Sequence, residues 1–258
     1  MHPLPVVETF AAAARGLASW WRSLLRETAV PAVVWVASAA LQDWATSRAN
    51  SADPRSFFLY DALGFLLTLL WLASFAMIGV TCARLAILGA DSLPRRWGFG
   101  WSSSATRFLG WTVVMFIPGA LVYMVAILVI GVDAQGSVRA LILIASYYLA
   151  VRLSLVLPAS AIGQRLDWDD SWRLTRSNGR RLALILFPVI FPPIYLSVLI
   201  RFPDVVGSPV LIARGSIVYE ALLAVISLLM WAGGMLLLSQ AFHWFPDVSP
   251  LRDDVASA

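Results

Sequence analysis

The stretch FFLYDALGFLLTLLWLASFAMIGVTCA, residues 57–83, decides the fold class of this chain. It runs for 27 residues with a single charged side chain, Asp61. An α-helix needs about 20 apolar residues to cross the hydrocarbon core of a bilayer. A strand of a membrane β-barrel would instead alternate polar and apolar positions over about ten residues. The stretch therefore predicts a transmembrane helix.

The rest of the chain has the same character. Of its 258 residues 60% are hydrophobic and 13% charged, and the mean hydropathy is +0.78, far above that of a soluble domain. We place apolar spans at residues 28–46, 57–83, 108–131, 140–161, 182–200 and 216–243. The prediction is an all-α integral membrane protein with about six transmembrane helices. It forms one domain, with an amphipathic N-terminal segment (1–27), the spans (28–245) and a C-terminal tail (246–258).

The arginines predict the topology. All 19 basic residues are arginines, and with the N-terminus inside, thirteen lie in inner segments and five in outer loops. Short cytoplasmic loops carry such an excess, so we predict a bacterial inner-membrane protein with both termini in the cytoplasm. The excess of positive charge is too scattered for a nucleic-acid surface, and it suits anionic lipid headgroups.

Two inner segments have the pattern of surface helices. In residues 8–26 an arginine stripe lies opposite tryptophan and leucine, which fits a helix in the headgroup layer or a helix packed on the protein's own spans. Residues 168–181 repeat the pattern, and Asp169 and Arg173 are spaced for an i,i+4 ion pair. The candidate surface for lipid, a protein partner or a second copy comprises Trp168, Trp172, Arg173, Arg176, Arg180, Arg181, Arg22 and Arg26.

Arg152 stands inside the fourth predicted span. The segment VRLSLV at 151–156 echoes ARLAIL at 83–88, and YEAL at 219–222 echoes YDAL at 60–63, which suggests a parallel repeat of helical hairpins. Because Arg84 falls at the inner end of its span, the echo predicts that span four ends near Arg152. The chain would then bend at Pro158 and run along the inner interface.

The segment from Arg152 to Leu186 also carries a family resemblance. An arginine-led apolar run ends in Pro-Ala, and Ser-Trp-x-Leu-Thr-x-x-Asn-x-x-Arg-Leu follows at 171–182. It resembles bacterial YciC-type inner-membrane proteins and the membrane domain of some glycerophosphodiester phosphodiesterases. The resemblance implies a six-helix membrane fold without an assigned biochemical role. The phosphodiesterases do their chemistry in a separate soluble barrel, so no catalytic residue carries over.

The sequence offers little chemistry. Its two histidines and one cysteine have no partners at metal-ligand spacing, and no nucleophile or phosphate-binding motif occurs. We therefore predict no cofactor, no metal and no enzymatic activity. Ionisable residues within spans are candidates for function, here Arg152, Asp61, Glu220 and Asp43. The prediction is a scaffold, partner-binding or lipid-organising membrane protein; the alternative is a small permease with a substrate path between repeated hairpins.

Overall fold

A computed structural model describes residues 4–51, 54–93, 101–130, 136–188 and 217–245. Over these ranges the regular structure is helical and no strand occurs, so the all-α prediction is confirmed for them. The helices, in chain order, are α1 (Val6–Ser51), α2 (Pro54–Leu88), a 3-10 turn (Ala90–Ser92), α3 (Ser103–Ile130), α4 (Gly136–Leu153), α5 (Val156–Ala161), α6 (Trp168–Leu174), α7 (179–188) and α8 (Ile217–Phe242).

Four of the described stretches are long and apolar enough to cross a membrane, which marks the chain as a membrane protein: Val6–Gln42, Phe57–Leu88, Ile144–Ala161 and Glu220–Phe242. They overlap the predicted first, second, fourth and sixth spans. The third predicted span falls on α3, and most of its side chains lie outside the described part of the structure. Most of the fifth, at 182–200, also lies outside the described residues. The count of six spans stays a prediction.

Helix α1 is continuous for 46 residues and contains Pro31 in its interior. The sequence predicts a surface segment at residues 1–27 and a first span from residue 28, which would put Pro31 in the first turn of that span. Proline removes one N–H, the one that would bond to the carbonyl of Glu27. Pro31 is fully buried, and packing of this part of α1 in the interior outweighs the one missing bond, so the helix continues through it.

An aromatic cluster joins α1, α2 and α8. The ring of Phe75 lies 5.7 Å from that of Trp35 and 3.8 Å from that of Trp231, and Trp231 Nε1 donates to the Phe75 carbonyl at 3.1 Å. One turn along α2, a Cβ on Gly79 would stand 2.5 Å from the ring of Phe108. Glycine at position 79 therefore lets α3 approach the cluster.

Several helix ends meet at one end of the bundle. Arg84, near the end of α2, donates from Nε to the carbonyl of Ala161 (2.9 Å) and from Nη2 to Ser104 Oγ (3.2 Å). Gln240, near the end of α8, donates to the carbonyl of Ala86 (3.4 Å). The end of α2, the start of α3, α5 and the end of α8 thus lie together. We call this the arginine end.

Candidate functional site

Arg152 is held in a corner between α4 and α6. It is 8% exposed and lies in the last turn of α4. Its Nη2 donates to the carbonyl of Trp172 (2.6 Å), its Nε to Thr175 Oγ1 (3.3 Å), and its guanidinium carbon lies 3.5 Å from the centroid of the Trp172 ring. The end of α4 leaves the Arg152 carbonyl without a helical donor, and Ser171 Oγ donates to it at 2.8 Å. These four residues form the Arg152 corner.

The corner agrees with the prediction that a helix ends near Arg152. Helix α4 ends at Leu153, a turn covers residues 154–155, and α5 begins at Val156. The chain therefore turns before Pro158 and not at it. Pro158 occupies the first turn of α5, where a backbone N–H has no helical acceptor and its loss costs little.

Helix α6 begins at a pair of carboxylates. Asp170 Oδ2 accepts from the backbone N–H of Asp167 at 3.5 Å, and the acidic first turn suits the positive end of the helix. Arg173 makes its ion pair with Asp170, three residues earlier, and not with Asp169 as the sequence spacing predicted. On so short a helix the i,i+3 partner satisfies Arg173 within the same turn.

The start of the chain is fixed to the α6–α7 connection. The backbone N–H of Leu4 donates to Asn178 Oδ1 (2.9 Å), and Arg181 Nη1 donates to the Leu4 carbonyl (3.1 Å). Leu4 is 2% exposed. Leu4 and the segment around residue 178 therefore lie on the same end of the bundle.

The motif that carried the family resemblance coincides with these contacts. Ser171, Trp172 and Thr175 bind Arg152, while Asn178 and Arg181 bind the backbone of Leu4. The leucines of the motif, Leu174 and Leu182, are buried. Each of these residues therefore either contacts Arg152 or Leu4 or packs in the interior.

The candidate carboxylates are not gathered around Arg152. Asp61 is exposed in the first turns of α2, at the opposite end from Arg84, and Glu220 is half-buried in the first turn of α8. The side chain of Asp43 lies outside the described part of the structure. Among the described residues Arg152 makes no ion pair, and its charge is balanced by the Trp172 carbonyl and ring.

The eight candidate surface residues divide by what they contact. Trp168 packs on Trp111, with ring centroids 5.9 Å apart. Trp172 carries Arg152 on its ring and is 39% exposed. Four of the arginines are engaged: Arg22 over the Trp21 ring, Arg26 with Glu27, Arg173 with Asp170, and Arg181 with Leu4. Arg176 and Arg180 are exposed and have no hydrogen bond or ion pair with any described residue.

The sequence predicts that residues 8–26 either lie in the headgroup layer or pack on the protein's own spans. Four apolar residues of this segment pack against the buried core, as the packing alternative predicts: Phe10, Ala13, Trp20 and Leu24. Leu17, Trp21 and Leu25 instead form an exposed apolar stripe, spaced four residues apart. One part of the apolar face is therefore covered by the protein, and the stripe is left exposed.

The sequence does not predict that Glu27 is buried or that Arg84 donates hydrogen bonds to Ala161 and Ser104. Trp21 and Trp172, which the sequence places in the two surface segments, are about half-exposed, as are Trp101 and Trp244. Trp21 and Trp44 stand 23 positions apart on α1, and that spacing is visible in the sequence. No group of His, Cys, Asp and Glu suited to a metal ion occurs within the described ranges.

No family model, curated protein or solved structure matches this chain. The resemblance drawn from residues 152–186 therefore stays a prediction.

Proposed function

We propose that the chain is a non-catalytic, multi-pass protein of the bacterial inner membrane that organises anionic phospholipid around its arginine end. The arginine end faces the cytoplasm, together with both termini. The thirteen-to-five distribution of arginines supports this orientation. The contact of Leu4 with Asn178 and Arg181 supports it further, because two segments assigned to the cytoplasm meet there.

The spacing of interfacial aromatic residues supports the position of the bilayer. Trp21 and Trp44 lie 23 residues apart on α1, or about 35 Å at 1.5 Å per residue. On α2, Tyr60 packs on Trp44 and Arg84 lies 24 residues further on. The hydrocarbon core is about 30 Å thick, and tryptophan and tyrosine gather at its two boundaries. The membrane boundary at the arginine end would then pass close to Trp21 and Arg84.

The single observation that carries the proposal is the presence of exposed arginines without described partners in the segments that also contain the exposed Trp101 and Trp172. Arg107, Arg165, Arg176 and Arg180 are exposed and form no hydrogen bond or ion pair with the described residues. The guanidinium of an arginine at a membrane boundary binds a lipid phosphate well, because its planar fork matches the phosphate oxygens. Each arginine near an anionic membrane surface contributes about 1 kcal/mol to the free energy of lipid binding. Arg176 lies in the turn between α6 and α7 and Arg180 in the first turn of α7, and both are exposed.

The experiment compares two double variants that remove the same charge. Arg176→Gln/Arg180→Gln removes two unengaged arginines, and Arg26→Gln/Arg173→Gln removes two that already have carboxylate partners. The full chain, reconstituted in nanodiscs of mixed phosphatidylcholine and phosphatidylglycerol, is analysed for the lipids it retains. We expect the first variant to lose preference for phosphatidylglycerol by about 2 kcal/mol, roughly thirtyfold.

The control variant is expected to keep most of the preference, because its arginines face carboxylates already. Equal losses in the two variants would show that total charge alone attracts the lipid. A wild-type chain without preference for anionic lipid would overturn the proposal.

A further inference from the structure

The segment between α5 and α6 contains polar atoms that the protein leaves without partners. Gln164 is 8% exposed, and neither its Nε2 nor its Oε1 has a hydrogen-bonding partner. Four residues later, Nε1 of Trp168 is buried and also unpartnered. Of the side chains that the structure describes, Gln164 alone has two separate polar atoms in this state. Burying a polar group without a hydrogen-bonding partner reduces the stability of the fold. Gln164 and Trp168 are therefore candidates for binding a ligand that would supply the missing partners.

The local backbone explains why Gln164 points inward. Gly163 has φ +86° and ends α5, and the N–H of Gln164 turns back to the carbonyl of Ala159 at 2.9 Å. The position after such a turn usually holds an apolar residue that packs on the helix. A glutamine there puts a carboxamide where the fold would accept a leucine.

The amide lies one side chain below the surface. Gly163, Arg165 and Asp167 are exposed, whereas Gln164 and Leu166 between them are buried. Residues 164–167 are not part of a helix, so no helical hydrogen bonds hold them against their neighbours. The Ala161 carbonyl binds Arg84, which keeps the segment at the arginine end.

We propose that Gln164 and Trp168 bind the headgroup of a glycerol-bearing anionic phospholipid of the phosphatidylglycerol type. The inference rests on the proposed function and names the lipid chemistry. The Gln164 Nε2 and Trp168 Nε1 groups donate to phosphate oxygens, and Gln164 Oε1 accepts from a glycerol hydroxyl. Arg165, exposed next to Gln164, supplies positive charge. A choline headgroup has no hydrogen to donate to Oε1, and phosphatidic acid has no glycerol hydroxyl.

The test uses the full chain in detergent micelles and follows unfolding through the reactivity of Cys82, which is fully buried and the single cysteine of the sequence. Phosphatidylglycerol, phosphatidic acid, phosphatidylcholine and free glycerol phosphate are titrated separately. We expect phosphatidylglycerol to stabilise the wild type at the lowest concentration. Gln164→Leu and Trp168→Phe should each need roughly tenfold more of it. Gln164→Leu also removes the acceptor for the glycerol hydroxyl, so it should narrow the difference between phosphatidylglycerol and phosphatidic acid, whereas Trp168→Phe should keep that difference.

Trp35→Phe is the matched control. It also removes a buried indole N–H without a partner, but from the aromatic cluster in the interior, and its response to phosphatidylglycerol should equal that of the wild type. Gln164→Leu should fold at least as stably as the wild type without lipid, since leucine suits the site.

Three results would overturn the inference: an unchanged response of both variants, an equal response of the wild type to phosphatidic acid, or the same stabilisation by free glycerol phosphate. Its failure is distinguishable from failure of the proposed function. Arg176→Gln/Arg180→Gln would still weaken the response to every anionic lipid if only the headgroup site were wrong.

Discussion

Arg84 and Arg152 occupy echoing positions in the sequence and make echoing contacts. Each donates to one backbone carbonyl and one hydroxyl: Arg84 to Ala161 and Ser104, Arg152 to Trp172 and Thr175. They differ in reach. Arg84 joins α2 to α3 and α5. The hydrogen bonds that the structure describes for Arg152 join α4 to α6 alone, and its guanidinium also stacks on the Trp172 ring.

The difference concerns what each arginine holds in place. Arg84 is half-buried and ties helices that also pack through apolar contacts in the core. Arg152 is buried, and its own carbonyl is bound by Ser171 of the helix that its side chain holds. Helix α6, with seven residues, is too short to be stable alone. We infer that Arg152 determines the position of α6 and that Arg84 adds strength to a bundle already packed.

Arg152→Leu is expected to have the largest effect, a loss of about 4 kcal/mol in stability. Two hydrogen bonds from a charged donor and a cation–π contact disappear, and the Trp172 carbonyl loses its donor. The unfolding midpoint, followed through Cys82, measures the loss. Hydrogen exchange should increase first in α6, before the aromatic cluster opens.

Arg176→Leu is the control for Arg152→Leu, because it removes an exposed arginine that is close in sequence to the Arg152 corner and has no described partners. It should change the midpoint little. Arg152→Lys tests geometry, since lysine keeps the charge but lacks the planar fork. If lysine restored full stability, charge alone would explain the corner.

Arg84→Leu is expected to cost about 2 kcal/mol, half the effect of the change at position 152. Arg84 has no aromatic ring against its guanidinium among the described contacts, and its site is partly open to solvent. Hydrogen exchange should increase at the junction of α2, α3 and α5 and leave α6 protected. Loosening of α6 to the extent seen with Arg152→Leu would show that the two corners are not separate.

Trp172→Leu separates the ring from the carbonyl in the Arg152 corner. The Trp172 carbonyl still accepts from Arg152, so only the cation–π contact and ring packing are lost, about 1.5 kcal/mol. The unfolding midpoint checks this value. A loss as large as that of Arg152→Leu would mean that the ring, and not the hydrogen bonds, holds the guanidinium.

The sequence predicted the parts of this arrangement that depend on composition and short-range pattern. Apolar runs of span length, the basic surface segments and a helix end near Arg152 follow from hydropathy and from the echo with Arg84. The partners of Arg152 could not be predicted, because the periodicity of a helix does not show which neighbouring helix Ser171 and Thr175 contact. The continuity of α1 through Pro31 was also missed, since local rules treat proline as a boundary while burial of its ring favours helix.

The smallest effects come from the two hydroxyl partners. Thr175 is fully buried, accepts from Arg152 and donates to the Ser171 carbonyl at 2.8 Å, so Thr175→Val leaves a guanidinium N–H without an acceptor at nearly unchanged volume. We expect a loss of about 1 kcal/mol. Ser104→Ala is the matching change at the other corner, and about 0.5 kcal/mol is expected because the half-buried Arg84 has access to water. Unfolding midpoints of the two variants, measured in the same micelles, compare them directly. If Ser104→Ala cost more, Arg84 and not Arg152 would be the corner on which local order depends.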